Sequence, residues 1–265
     1  MVETGQFRDA EKYSNYLKTY SGRLRSELAW EYLRRFLPEL TGTRVLDLGG
    51  GTGAVGLRMA AEGFQVVLLD SSEEMLGTAR KNAEASGVTE RISFFHADAG
   101  QLQELFEAEY FDTVVCHNLL EYVGDPAEMV RRISCVLREN GILSVLVRNR
   151  AGEVLKAAIR SGDCELAKSA ISAETVVDSL YGQAVRIFDR VDLLQMVAGA
   201  NLSVAGEYGV RVFSDYLDLA DPDPEIYRQI FELECTLGSQ PQFVAIARYL
   251  QIIARRASAA QVLET

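Results

Sequence analysis

The chain has 265 residues, of which 48% are hydrophobic and 25% charged, as is typical of a globular protein with a substantial core. It has no apolar run of about 18 residues and no signal peptide near its start, so we expect a cytoplasmic protein without a membrane anchor. The net charge of -11 repels polyanions, so a nucleic-acid partner would need a local basic face. Four widely spaced cysteines and two histidines indicate neither a metal site nor a disulfide framework, and Cys116 and Cys135 are expected in the core.

Residues 1–40 are expected to form an N-terminal arm and one helix. Residues 7–22 are rich in tyrosine and polar residues without a clean apolar stripe, which is compatible with a mobile arm or a lid. In residues 23–37 apolar side chains recur at helical spacing from Leu24 onward, and Pro38 marks the predicted end of that helix.

Residues 41–150 begin with a strand, a glycine turn, a helix and a second strand. The first apolar run, 44–48, enters a turn that contains Gly49, Gly50, Gly51 and Gly53, and the second, 66–69, ends at Asp70. Glycines at such a turn allow a ligand to approach the backbone, and an acid about 20 positions later can accept hydrogen bonds from ribose hydroxyls. The pattern predicts a ligand that contains adenosine.

Three interpretations of this turn are open from the residues alone. Gly49, Gly51 and Ala54 also satisfy the loose dinucleotide pattern G-x-G-x-x-G/A. Asp47 would be poorly placed beside a pyrophosphate, which favours the cationic ligand S-adenosylmethionine (SAM) over a dinucleotide. A turn that only makes a tight corner is the third alternative.

Further strands are predicted at 91–96, 112–116 and 142–147, with helices between them. This alternation indicates a parallel, doubly wound α/β sheet, in which ligands bind at the carboxyl ends of the strands. Asp98 and His117 follow the third and fourth strands, so we expect them beside the glycine turn and Asp70.

The rest of the chain is expected to complete a seven-stranded sheet. Residues 151–188 form a mostly helical insertion, either a candidate substrate cap or a solvated excursion. Residues 189–256 carry the C-terminal part of the sheet, with helices at 189–198 and 224–237 and strands at 202–212 and 243–254. The last strand is predicted to be antiparallel. Residues 257–265 are expected to be a frayed tail.

These motifs resemble class I SAM-dependent methyltransferases over about residues 40 to 254. The resemblance is carried by V-L-D-L-G-G-G-T-G, by Asp70, by H-A-D-A and by F-D-T-V-V-C-H-N-L-L-E-Y. Within that superfamily the chain is most similar to the bacterial tRNA 5-carboxymethoxyuridine carboxyl methyltransferase family. The shared blocks outside the core motifs are A-E-K-Y-S near residue 10, G-R-L-R at 22–25, G-V-R-V-F-S-D-Y-L at 209–217, E-L-E at 232–234 and A-R-Y-L-Q-I-I-A-R at 247–255.

The resemblance implies a set of cofactor contacts. Gly49, Gly50 and Gly51 would line the methionine moiety of SAM, and Arg25 would pair with its carboxylate. Asp70, followed by Ser71, would bind the ribose hydroxyls. The remaining implied contacts are the adenine contacts Met75, Asp98 and Ala99 and, beside the sulfonium, His117. A surface helix arginine is the competing interpretation of Arg25, and a structural role that of His117. The demethylated product would be S-adenosylhomocysteine (SAH).

The methyl acceptor is the open part of this interpretation. It would be a small molecule or a modified tRNA nucleoside methylated on an oxygen, such as a carboxylate, or on a nitrogen. That family carries a run of lysines after strand five, where this chain reads A-K-S-A-I-S-A-E-T, which argues against tRNA. Arg211, between apolar residues, is a candidate anchor for an anionic acceptor, or else an edge-strand arginine in a salt bridge.

Methyl transfer to a carboxylate needs proximity and desolvation but no general base, so no catalytic residue and no metal ligand is named. Two other functions are compatible with the residues alone. One is a SAM-binding regulatory subunit without catalysis, and the other is an NAD-dependent oxidoreductase. The sequence leaves the oligomeric state open.

Overall fold

The structure is a computed structural model that describes residues 9–37 and 43–258. The helices are α1 (Ala10–Lys18), α2 (Tyr20–Leu33), α3 (Gly56–Glu62), α4 (Glu73–Ala85), α5 (Leu102–Leu105), α6 (Pro126–Val136), α7 (Arg150–Leu155), α8 (Cys164–Ser172), α9 (Arg190–Ala198), α10 (Pro224–Leu237) and α11 (Pro241–Val244). The strands are β1 (Arg44–Leu48), β2 (Gln65–Asp70), β3 (Ile92–His96), β4 (Phe111–His117), β5 (Leu137–Arg148), β6 (Thr175–Val177), β7 (Ala184–Arg186), β8 (Leu202–Val210) and β9 (Tyr249–Arg256).

In the part of the chain that the structure describes, seven strands form one sheet in the order β3-β2-β1-β4-β5-β9-β8. The first five are parallel to their neighbours, whereas β9 runs antiparallel to both β5 and β8. This confirms the predicted doubly wound sheet and its antiparallel last strand. The strand order reverses between β1 and β4, and this switch point is where open α/β sheets bind ligands.

Alternating side chains of the central strands pack into two layers of helices, as the period of two along a strand requires. Val45 and Val115 face a cluster that contains Trp30 of α2, Met59 of α3 and Leu76 of α4. Their neighbours face the opposite cluster, which is built with α6 and α9 and contains Leu46, Val114, Met129, Ile133, Leu193 and Val197. The helices therefore cover both faces and leave the carboxyl edge of the sheet open.

The ends of three strands differ from the predicted ones. Strand β5 begins at Leu137 and continues directly from α6, earlier than the expected 142. Strand β8 ends at Val210, because Arg211 has a positive φ of 64° that an extended strand does not accommodate. The expected strand 243–254 is β9 preceded by a separate short helix that begins at Pro241, a residue favoured at the first helical position.

The insertion between β5 and α9 is less helical than predicted. It contains α7, a π-helical turn (Lys156–Arg160) and α8. It then forms the antiparallel hairpin β6–β7, which the sequence pattern did not predict. The hairpin loop is held by Asp178, whose carboxylate accepts hydrogen bonds from the backbone N–H groups of Leu180 and Tyr181.

The described part of the N-terminal arm is helical. Helix α1 carries Asp9 as its N-cap, and its first N–H, on Ala10, donates to Glu74 of α4 at 3.0 Å. Helix α2 begins at Tyr20 rather than at residue 23. Residues 7 and 8, the predicted helix end at Pro38 and most of the 257–265 tail lie outside the described residues.

Two further findings concern the core and the membrane. Cys116 is buried as predicted, but Cys135 is exposed on α6, so the prediction that it is a core residue was wrong. Within residues 9–37 and 43–258, no helix combines the length and the apolar character that crossing a membrane requires.

Candidate functional site

A cavity of about 1080 Å³ opens at the carboxyl edge of the sheet. Its walls come from the glycine turn after β1, from the ends of β2, β4 and β5, and from α1, α2 and the insertion. This volume is at the upper end of the range for pockets that bind a single small ligand. The cavity therefore has room for a nucleoside cofactor and a second molecule.

The glycine turn lets the backbone itself form part of the cavity wall. Gly49 and Gly51 have φ values of 70° and 55°, a region that L side chains rarely adopt. A Cβ on Gly50 would lie 2.7 Å from the Asp47 carboxylate, so this position also excludes a side chain. A Cβ on Gly51 would instead meet nothing closer than the Tyr13 ring at 3.8 Å, and would project into open space. The turn is thus a cradle that a side chain would partly fill.

Asp47 lies beneath this turn and does not line the cavity. It is buried, and its carboxylate accepts a hydrogen bond of 2.8 Å from the N–H of Gly56, at the start of α3. Burial raises the pKa of Asp47 to about 7, and the nearby charge of Asp70 adds to this effect. The residue therefore joins the turn to α3, and the prediction that it discriminates between ligands by its charge has no direct contact to support it.

Asp70, at the end of β2, lines the cavity next to this turn. One carboxylate oxygen accepts from Gly51 N–H at 2.8 Å and the other from Ser72 N–H at 2.9 Å. Burial raises the pKa of Asp70 above its ordinary value. A carboxylate has about four acceptor positions, so these two contacts orient the group and leave capacity for two hydroxyl donors.

The next strand end supplies the other predicted residues of this wall. Asp98 follows β3 and caps the turn after it by accepting from Gly100 N–H at 2.7 Å. Ser71, Met75 and Ala99 line the same part of the cavity, with Met75 and Ala99 buried. An apolar wall next to two acids can receive a flat base that carries an amino group.

Arg25 enters the cavity from α2 and is only 7% exposed, so its interpretation as a surface arginine was wrong. Its Nη2 donates to the Tyr13 hydroxyl at 3.1 Å, and its guanidinium lies 5.0 Å from the centre of the Tyr16 ring. Among residues 9–37 and 43–258, no carboxylate lies within 4.0 Å of this guanidinium. Arg25 thus presents a fork of donors without an anionic partner in the described part of the chain.

His117, at the end of β4, is held by a hydrogen bond between its Nε2 and the Ser144 hydroxyl at 2.7 Å. Burial and the charge of Arg25 lower the pKa of His117 to about 3. The imidazole is therefore neutral at physiological pH and can accept or donate a hydrogen bond but does not add positive charge.

Beyond His117, the cavity is dominated by arginines around one tyrosine. Arg25, Arg148, Arg211 and Arg248 all place their guanidinium groups within 5.7 to 6.0 Å of the Tyr249 ring centre. Although burial opposes ionisation, these charges lower the pKa of Tyr249. The side of the cavity formed by Arg148, Arg211, Arg248, Tyr249 and the insertion is called the acceptor side below.

Arg211 lies on the acceptor side but is not an edge-strand residue. It follows β8, is buried, and forms an ion pair with Asp215. Its Nη1 reaches the Tyr16 hydroxyl at 3.5 Å. The alternative prediction was an edge-strand arginine in a salt bridge. The salt bridge is present, but Arg211 lies outside the strand.

Sequence reasoning missed several cavity residues. They come from α1, the loop after β4, the end of β5 and the start of β9, and are Tyr13, Tyr16, Glu121, Arg148, Arg248 and Tyr249. Arg148 could have been found, because it directly follows the predicted strand 142–147. Tyr249 and Arg248 reach this edge only because β9 runs antiparallel next to β5, which places Tyr249 opposite Arg148.

Comparisons with known proteins agree with this arrangement. A methyltransferase-domain family model matches residues 39–197. The chain is 31% identical over 252 residues to the tRNA 5-carboxymethoxyuridine methyltransferase of Escherichia coli K12, which covers 93% of this chain and 94% of that protein.

Solved structures support the fold. A SAM-dependent methyltransferase of Thermotoga maritima superposes with a TM-score of 0.63 at 15% identity, covering 94% of this chain and 97% of the other. The [4+2]-cyclase SpnF superposes with a TM-score of 0.58 at 19% identity, covering 88% and 81%. Since the second protein is a cyclase, the fold alone does not determine the reaction.

The family model and the relative from Escherichia coli both identify methyltransferases, and both decide against the NAD-dependent oxidoreductase and the subunit without catalysis. The chain therefore belongs to the class I SAM-dependent methyltransferases and is related, along nearly all of the sequence, to the tRNA 5-carboxymethoxyuridine methyltransferases.

Proposed function

We propose that this methyltransferase binds SAM between the glycine turn, Asp70, Asp98 and Arg25, and transfers its methyl group to an oxygen of an anionic acceptor on the acceptor side. The observation that carries this proposal is Arg25, a buried arginine without a carboxylate partner in the described residues, in the same cavity as two acids at neighbouring strand ends. SAM has a carboxylate, a ribose diol and an adenine amino group to match them.

The cofactor side of the cavity, formed by the glycine turn, Arg25, Asp70 and Asp98, offers a suitable partner for each polar group of SAM. The Arg25 fork suits the methionine carboxylate. Asp70 is oriented by two backbone donors and suits the ribose hydroxyls, while Asp98 and the Ala99 N–H suit the edge of adenine. Ser71 and Met75 complete the wall, and Gly49, Gly50 and Gly51 let the methionine chain lie against the backbone. SAM supplies the activated methyl group on its sulfonium.

The protein contributes orientation and exclusion of water. Tyrosines of α1 and of the insertion line the cavity, and we expect an acceptor oxygen held among them to be partly desolvated and close to the methyl donor. The neutral His117 lies between the two sides and can hydrogen-bond without repelling the sulfonium. A carboxylate acceptor is already ionised and needs no proton acceptor.

The acceptor class is inferred from charge. The Escherichia coli relative is named for a tRNA nucleoside that bears a carboxymethoxy group, which supports an oxyanion acceptor here. The chain is acidic overall and lacks a lysine run in the insertion. We therefore expect either a modified tRNA nucleoside or a small anionic molecule, and the low basic charge favours the small molecule.

The test is methyl incorporation from labelled SAM into undermodified tRNA and into a total small-metabolite extract, measured in parallel. We expect label in one of the two. If the acceptor is a carboxylate, the product is a methyl ester, and mild alkali should release the labelled methyl group from it. Incorporation into neither would contradict the proposal.

Arg211 is proposed as part of the acceptor wall. Its buried Nε, which has no hydrogen-bond partner among the described residues, and its contact with Tyr16 support this role, although Asp215 already balances its charge. If Arg211→Ala leaves the acceptor affinity of the labelled reaction unchanged, this role is discarded.

A further inference from the structure

The cations of the acceptor side divide into paired and unpaired groups. Arg148 contacts Glu121, Glu153 and Asp178, and its Nε lies 3.1 Å from the Glu121 carboxylate. Arg248 contacts Glu153 and Asp215, and Arg211 contacts Asp215. These three arginines are therefore committed to a buried ion-pair network that shapes the wall.

Lys156 and Arg160 line the same cavity without such partners. Among residues 9–37 and 43–258, neither cation has a carboxylate oxygen within 4.0 Å. Arg160 uses Nη1 to donate to the backbone carbonyl of Asp215 at 3.1 Å, which fixes the guanidinium and leaves its other donors available. Lys156 is half-buried, and burial together with the charges of Arg248 and Arg148 lowers the pKa of its amine.

Both residues belong to one unusual backbone element. The segment Lys156–Arg160 is a π-helical turn, closed by a hydrogen bond of 3.2 Å from Ser161 N–H to the Lys156 carbonyl. Such turns are rare and occur frequently at functional sites. Here the turn brings the two cations to the cavity from the first part of the insertion.

Two cations of this side have no ion-pair partner among the described residues. Arg148, Arg211 and Arg248 pair with the carboxylates of Glu121, Glu153, Asp178 and Asp215, whereas Lys156 and Arg160 pair with none of them. They lie in a chain whose net charge is -11. A half-buried cation without a partner, such as Lys156, is costly unless an anion joins it.

We propose that Lys156 and Arg160 form a subsite for one oxyanion of the methyl acceptor, a carboxylate or a phosphate. This inference rests on the proposed function, since it names the group by which the acceptor is recognised. It also makes the π-helical turn the specificity-determining element of the insertion and excludes cationic acceptors.

The test titrates the SAH-loaded protein with inorganic phosphate and, separately, with acetate, at an ionic strength held constant with chloride. Binding is followed by calorimetry and by the melting temperature. We expect saturable binding of at least one of the two anions, and the arm that saturates at lower concentration identifies the oxyanion class. The variant Lys156→Met should weaken that binding at least about tenfold, as expected for the loss of a charge-assisted hydrogen bond.

Three further variants serve as controls. Lys156→Arg keeps the charge and should bind the anion within about threefold of the wild type. Arg160→Met, on an exposed residue, should weaken binding without endangering the fold. Lys168→Met removes a lysine of the same insertion that pairs with Glu165 outside the cavity, and it should bind as the wild type does.

Either of two results would overturn the subsite: no saturable binding of either anion by the wild type, or unchanged binding by both Lys156→Met and Arg160→Met. The same titrations are run without SAH. A protein that binds the anion but not SAH would refute the proposed function and keep the subsite, so the two failures are distinguishable.

Discussion

Two aspartates on adjacent strands illustrate how position decides the role of a carboxylate. Asp47 of β1 and Asp70 of β2 lie on either side of the glycine turn, and each accepts backbone hydrogen bonds. Only Asp70 reaches the cavity. Asp47 is buried beneath the turn with a pKa of about 7, so its ionisation is a matter of stability rather than ligand contact.

The raised pKa of Asp47 predicts a pH dependence of stability. Between the ordinary value of 3.8 and about 7, the unfolded chain releases this proton while the folded protein keeps it. The contribution of Asp47 to the free energy of unfolding is therefore full below pH 4, falls as the pH rises to about 7, and is constant above that. Asp47→Asn can still accept from Gly56 but cannot ionise. The stability of this variant relative to the wild type should rise from pH 5 to pH 7.

Urea unfolding of both proteins at pH 5, 6, 7 and 8 measures that difference, and other titrating groups cancel in it. A difference that stays flat, or that falls as the pH rises, would show that Asp47 is not held protonated by the fold.

The position of Arg25 leads to a second prediction about a single side chain. Arg25→Met should weaken SAH binding at least about tenfold, because the methionine carboxylate loses its charge-assisted fork. Methylthioadenosine has the nucleoside but no amino-acid end, so its affinity should not change. Calorimetry with both ligands measures the effect. Equal losses for the two ligands would mean that Arg25 supports the whole cavity rather than the carboxylate.

At the scale of elements, the sequence pattern located the cofactor side better than the acceptor side. Asp70 and His117 end strands with recognisable apolar runs, and the glycine turn and Asp98 come just after two others. Parallel strands bring such ends together. Hairpin β6–β7 was missed because its strands have three residues each and little apolar alternation. In the run before β9, periodicity could not separate a helical turn from a strand.

The junction between α1 and α2 positions the α1 tyrosines that line the cavity. A Cβ on Gly22 would overlap the Tyr16 carbonyl oxygen, so α1 would have to move. Gly22→Ala should therefore displace Tyr13 and Tyr16 and weaken SAH binding at least about tenfold, because Arg25 loses its hydroxyl partner. The expected observation is also a lower melting temperature.

Gly77→Ala is the matched control. A Cβ on Gly77, within α4, would meet nothing within 4 Å. This variant should gain about 0.5 to 1 kcal/mol from the better helix propensity of alanine and bind SAH normally. Unimpaired SAH binding by Gly22→Ala would show that α1 does not contribute to the site.

At the scale of the whole molecule, the fold divides the cavity between its two halves. The glycine turn and the two aspartates follow or end strands β1, β2 and β3, while the end of β5, the insertion and the segment between β8 and β9 carry the cations of the acceptor side. The first half is continuous in sequence and was predictable. The second joins residues 148 and 249 by antiparallel pairing, which local patterns do not reveal.

SAH binding by the wild-type protein is the most direct test of the cofactor site. Calorimetric titration of the wild-type protein with SAH should give saturable heat at one site per chain. Asp70→Asn should weaken it at least about tenfold, because a carboxylate oxygen that accepts from the ribose is replaced by a donor. Asp112→Asn, at the opposite end of the sheet, should bind SAH as the wild type does. No heat with SAH in the wild type, or equal affinity in Asp70→Asn, would contradict the proposed cofactor site.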